Sequence, residues 1–146
     1  MKMPTKLATA AMCLGTVLTG SVATAPTANA AGSYHGCPYQ AVCMYSSVAN
    51  YNNSKPISGY IWYSYAGHNI SGQYGTKVLV NNQSGDAATG ICAGSTGQGG
   101  FADEPDGTVI ATGVNPDHFT FNATPVNSID MRPANEYAKL CTTYHP

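Results

Sequence analysis

Apolar residues in this chain arrive in short bursts that alternate with polar ones, rather than recurring every three or four positions. AVCMY (41–45), SGYIWYSY (58–65), TKVLVN (76–81), TGICAG (89–94), GTVIATG (107–113), HFTFN (118–122) and NSIDMR (127–132) are β-favouring runs separated by turn residues. Successive side chains on a strand point to opposite faces, so runs of this length and period read as strands. No segment sustains the i, i+3, i+4, i+7 spacing of an amphipathic helix, because Gly, Asn, Ser and Pro interrupt every candidate. The pattern predicts an all-β sandwich or barrel-like domain rather than an α/β core.

The N-terminus follows a different rule. Lys2 and Lys6 introduce an apolar, charge-free run from Leu7 to about Ala23, and Ala28 and Ala30 in TANAAG suit cleavage after Ala30. Gly15, Gly20 and several threonines dilute the run and no basic flank follows it, which favours an export signal over a membrane anchor. Cys13 follows Ala-Ala-Met and so lacks a lipobox context. The expected organisation is a secretory signal peptide at 1–30 and a single β domain at 31–146, secreted and extracellular.

Setting the leader aside changes the charge balance. Residues 31–146 hold Lys55, Lys77, Arg132 and Lys139 against Asp86, Asp103, Glu104, Asp106, Asp117, Asp130 and Glu136, or 4 − 7 = −3, with no basic run. That balance argues against nucleic acid and anionic membranes as partners. Cys37, Cys43, Cys92 and Cys141 remain, an even set that points to two disulfides in an exported chain. Three pairings are open. The closeness of Cys37 and Cys43 favours a local bridge between them, which leaves Cys92 for Cys141. The spacing of Cys37 and Cys43 is too wide for a CxxC redox motif or a zinc knuckle.

Enzyme signatures do not occur: there is no HExxH, GxSxG, phosphate loop or paired metal-ligand spacing. The chain therefore reads as a non-enzyme without cofactor or metal. His35, His68, His118 and His145 are scattered through loop-like sequence as exposed or hydrogen-bonded histidines. DEPDG (103–107) gathers three carboxylates of the kind calcium takes, but it lacks the alternation and distal Glu of an EF-hand loop and reads as an acidic turn. SGYIWYSYAG (58–67) sets Tyr60 and Trp62 on one face and Ile61, Tyr63 and Tyr65 on the other. One set belongs to the core, and an exposed set would stack on sugar rings or meet a protein. GSTGQGG (94–100) and ADEPDG (102–107) form the longest irregular stretch, and long loops on rigid β scaffolds often carry binding.

There is also a weak internal repeat: VCMY and GICAG each close an apolar strand at a cysteine, and KVLVNN and VNSIDM follow them at a similar distance. The opening CPYQAVCMYSSVANYNN (37–53) resembles the start of the actinobacterial metalloproteinase-inhibitor family, which runs Cys-Pro, a few residues, then Val-Cys-Leu-Tyr. YIWYSY, VLVNNQSG, GICAG and TPVNSIDMRP extend the resemblance over most of residues 37–133. It implies a βγ-crystallin-like sandwich of two Greek-key motifs, and a monomeric, secreted inhibitor of extracellular metalloproteases. The chain departs from the pattern at Asn50-Tyr51-Asn52-Asn53, where a crystallin hairpin usually has Gly; a left-handed Asn is expected to preserve the hairpin. It departs again in NNQSGD (81–86), where Gly85-Asp86 replaces the hydroxyl pair of the crystallin calcium signature. ICAGSTGQGG (91–100) is the expected acting segment, with Ile91, Cys92, Ala93, Gly94 and Ser95 as the protease-binding loop and a disulfide at Cys92 preorganising it. Ala93 is small where thermolysin-like enzymes prefer a bulky apolar residue just after the scissile bond. The alternative reading is a non-catalytic βγ-crystallin-like module that binds a glycan or calcium.

Overall fold

The computed structural model describes residues 32–102, 109–111 and 116–142. The signal-like segment 1–30, DEPDG (103–107) and His145 lie outside the described residues. The elements in chain order are β1 (Val42–Tyr45), a short helix α1 (Val48–Asn52), β2 (Ile61–Trp62), β3 (Gly67–Asn69), β4 (Thr76–Asn81), β5 (Ala88–Cys92), β6 (Val109–Ala111), β7 (Asp117–Asn122), β8 (Ser128–Arg132) and a 3-10 helix (Ala134–Lys139).

The strands form two antiparallel sheets, ordered β2-β1-β4-β7 and β3-β8-β5-β6. The two halves of the chain are built alike. In the first half β1, β2 and β4 share a sheet while β3 joins the other; in the second, β5, β6 and β8 share a sheet while β7 joins the first. The weak sequence repeat falls on this symmetry. β1 corresponds to β5 and β4 to β8, and each of these pairs is hydrogen-bonded within its half.

Alternation along the strands decides which residues meet. Val42 and Met44 turn toward a core with Leu79, Ile91, Phe121, Ile129 and Met131, drawn from both sheets. Cys43 and Tyr45 turn the other way and join Val78, Val80 and Tyr51 of α1 in a second cluster. With both faces covered, β1 is buried throughout. Met44, Leu79, Ile91, Ile129 and Met131 are fully buried, and each such side chain stabilises the fold by about 1.5–3 kcal/mol. In the second cluster Tyr51 lies between His35 and His118, with ring centroids 3.9 and 4.6 Å away. Burial pushes the Tyr45 phenol up to about 12, and its hydroxyl donates to the His35 carbonyl at 2.8 Å.

Three local expectations change. The run 58–65 yields only the two-residue β2, because the chain bends from Ser64. β3, whose Gly-His-Asn sequence has no apolar alternation, exists through its pairing with β8, from Gly67↔Asp130 to Asn69↔Ser128. The asparagine-rich 50–53 segment enters and closes α1 rather than a hairpin turn: Ser47 caps the helix by accepting the Asn50 N–H at 3.2 Å, and the left-handed residue is Ser54 (φ 56°). The cysteines pair as Cys37–Cys43 and Cys92–Cys141, separated by 6 and 49 positions.

Candidate functional site

β5 ends at Cys92, and the chain returns to it at Phe101, which forms a bridge with Cys92. Between them residues 93–100 make a glycine-rich loop laid against the second sheet. Its neck is closed by the Ala93 N–H donating to Gly100 O (3.0 Å) and the Gly94 N–H donating to Gln98 O (2.9 Å). Its far side is held by side chains of β3 and β8. Thr96 N–H donates to Asn69 Oδ1 (2.7 Å) and Gly97 N–H donates to Ser128 Oγ (2.9 Å). The Ser128 hydroxyl in turn donates to the Gly94 carbonyl at 2.6 Å, and the Asn127 amide donates to the Ala93 carbonyl. Each of these bonds contributes about 0.5–1.5 kcal/mol net, while ordering one residue costs about 1–2 kcal/mol. Hydrogen bonds alone therefore fall short of offsetting the loop's ordering, and packing and the disulfide have to supply the rest.

The packing needs glycine at two places. A Cβ on Gly67 would stand 2.0 Å from the Thr96 carbonyl carbon, and one on Gly97 (φ 73°) would stand 2.9 Å from the Asp130 carboxyl carbon. Gly67→Ala is accordingly expected to cost about 1–3 kcal/mol or more, because backbone rather than a flexible side chain blocks the new methyl. Urea denaturation reads the cost. An unchanged midpoint would show that the loop does not sit tightly on β3.

The loop's base is strapped through Cys141, which bonds Cys92 and accepts the Gly100 N–H on its carbonyl at 2.8 Å. The Cys141 N–H donates to Asp130 Oδ2 at 2.9 Å. Asp130 is 0% exposed and faces Arg132 Nε at 3.2 Å; Arg132 Nη1 reaches Glu136 Oε2 at 3.3 Å, and Lys139 Nζ reaches Glu136 Oε1 at 3.1 Å. Hydrogen bonds from Lys139 and then Arg132 hold the Glu136 carboxyl below the usual carboxylate range. This chain of charges fixes the 3-10 helix and delivers Cys141 to the loop.

The expected loop residues fall into two groups. Ile91 and Cys92 are fully buried within β5, paired with Ile129 and Ser128, so neither side chain is exposed. Ala93 and Gly94 are half-buried and Ser95 is exposed. The open part of the segment is thus Ser95, Gly99, Gly100 and Phe101, the last 40% exposed. Phe101 was missed by sequence reasoning because it sits between a glycine run and an acidic run and belongs to neither. The available signal was a single large apolar residue stranded between two polar loops.

Elsewhere the aromatic alternation holds: Tyr60 and Trp62 pack on the core, with Trp62 stacked on His68 at 5.3 Å, while Tyr63 and Tyr65 are exposed. Within NNQSGD the side chains of Asn81 and Asn82 serve the fold. Asn81 Nδ2 donates to Ala87 O (3.0 Å) and its Oδ1 accepts Gln83 N–H (3.1 Å), while Asn82 Nδ2 donates to Cys37 O (2.9 Å). Among the described residues no group of three His, Cys, Asp or Glu is placed to hold a metal, and no helix is long and apolar enough to cross a membrane. No family model, curated protein or solved structure matches the chain.

Proposed function

We propose that the protein is a secreted inhibitor of extracellular metalloproteases, with Ser95–Phe101 as its inhibitory surface and a βγ-crystallin-like scaffold behind it. The observation that carries this reading is the double fastening of the loop, by Cys92–Cys141 at its base and by hydrogen bonds that its N–H groups donate to side chains of β3 and β8. An inhibitor must offer a segment that enters a protease cleft and does not relax after attack. A loop already held in one conformation loses little entropy on binding. The contact is placed at Gly100–Phe101, beyond the expected loop Ile91–Ser95, where an exposed glycine precedes a bulky apolar side chain of the kind thermolysin-like enzymes prefer after the scissile bond.

The Cys-Pro opening and its likeness to the metalloproteinase-inhibitor family support this reading. The strand order supports the scaffold. A Greek key runs 4-1-2-3 in space, and β4-β1-β2 follows that path with β3 passed to the facing sheet; β8-β5-β6 repeats it with β7 passed back.

The test is titration of the oxidised protein against a thermolysin-type protease. Activity is expected to fall stoichiometrically, and Phe101→Ala is expected to weaken inhibition by about tenfold or more, as truncating a central anchor does. Full protease activity at a large molar excess of the protein would end this reading.

A further inference from the structure

We infer a second binding site, separate from the loop, in which a cleft at one end of the first sheet takes a neutral saccharide. Strand register builds it. Val42 pairs with Trp62 on one side and Asn81 on the other, so the segments that precede β1 and follow β2 and β4 arrive together. The Gln40 N–H donates to Asn82 O (2.9 Å) and the Asn82 N–H donates to Ala41 O (2.9 Å), which carries the ladder past the ends of β1 and β4. The Cys37–Cys43 bridge closes the short loop that holds Gln40 in a left-handed conformation (φ 65°). The result is an open cleft of about 270 Å³ lined by Gln40, Tyr63, Tyr65, Gln83 and Ser84.

Three observations fix the chemistry of its occupant. Tyr63 and Tyr65 are 60% and 47% exposed, offering flat apolar faces that the core does not use, because Tyr60 and Trp62 serve it instead. None of the lining residues is charged, so a phosphate, sulfate or carboxylate finds no counter-charge there. Gln83 is only 7% exposed, and its carboxamide oxygen is buried without a hydrogen-bond partner. A buried acceptor left unpaired is unfavourable, and a small turn of the amide toward a ligand hydroxyl relieves it. A pyranose meets all three conditions. Its C–H face covers a tyrosine ring, and its hydroxyls reach the Gln40 and Gln83 amides and the Ser84 hydroxyl. A nucleotide would stack equally well, but its phosphate has no partner among these residues. The volume lies just below the ~300–1,000 Å³ usual for small-molecule sites, which suits a short stretch of a polymer rather than a large enclosed ligand.

The cleft shares no residue with the 93–101 loop, so the two readings fail independently. The oxidised protein is mixed with microcrystalline cellulose, chitin, insoluble starch and insoluble xylan, with heparin resin as the anionic comparison. Retention is expected on at least one neutral polymer, with release by the matching soluble oligosaccharide. Tyr63→Ala/Tyr65→Ala should lower retention by about tenfold or more. Gln83→Leu, which removes the unpartnered oxygen, should lower retention while keeping or raising the melting temperature. Phe101→Ala should leave retention unchanged. The site is overturned by retention on none of the neutral polymers, by retention on heparin alone, or by equal retention of the double tyrosine variant.

Discussion

Replacing Cys92 and Cys141 together with alanine is expected to lower the unfolding free energy by roughly 4 kcal/mol, against roughly 2 kcal/mol for the Cys37/Cys43 pair. The difference follows from the spans the bridges close, 49 positions against 6. A cross-link restricts the unfolded chain, and the restriction grows with the logarithm of the loop it closes. Domains of this size are stabilised by only about 5–15 kcal/mol in total, so losing the long bridge removes a large share. It also releases Cys141, whose carbonyl holds Gly100 and whose N–H meets Asp130. Inhibition is therefore expected to disappear with the long bridge and to survive loss of the short one at temperatures where both variants remain folded. Urea unfolding with matched m-values compares the stabilities, and protease titration at low temperature compares the activities. Equal stability losses for the two pairs would sink the entropic account; inhibition unchanged without the long bridge would sink the strap.

Much of the fold was legible because half-buried strands write their alternation into the sequence. The runs TKVLVN and HFTFN fall on or within β4 and β7, and NSIDMR exceeds β8 by a single residue. β3 was not legible, because Gly-His-Asn earns its place through pairing with β8 and through the space that Gly67 leaves for Thr96. Nor was α1, a five-residue helix too short to show a period and set by the Ser47 cap. At the candidate site cysteine arithmetic located Cys92, but nothing local signals that β5 is buried at every position. A strand covered on both faces loses the alternation that would say which residues look outward. β8 misleads in the opposite sense. Ser128, Asp130 and Arg132 alternate with Ile129 and Met131 and read as a solvent face, yet all three polar residues are buried. That face meets the 93–100 loop and Cys141 instead of water. The chemistry at the loop's base was visible as residue types and hidden as a location.

Asp130→Ala is the sharpest probe of that hidden face, with an expected cost of about 3–5 kcal/mol, the usual penalty for removing one member of a buried ion pair. Asp130 is 0% and Arg132 3% exposed, so water does little to screen the guanidinium once the carboxylate is gone. Glu136, about one-third exposed, remains beside Arg132 at 3.3 Å but lies toward solvent, where an ion pair contributes less. The same variant removes the acceptor of the Cys141 N–H and the surface on which Gly97 rests. Amides of Gly97 and Gly100 should then exchange faster, as the strap loosens without the disulfide breaking. Asp130→Leu/Arg132→Met separates the two contributions, because it removes both charges while still depriving Cys141 of its acceptor. If loss of the buried carboxylate beside the guanidinium dominates, the double variant regains most of the stability that Asp130→Ala loses, as exchange of buried ion pairs for apolar residues generally allows. If the double variant is no more stable than Asp130→Ala, the carboxylate matters chiefly as the anchor of Cys141, and the ion pair is secondary. A single variant within about 1 kcal/mol of the parent would contradict both, since that is the scale of an exposed pair and not a buried one.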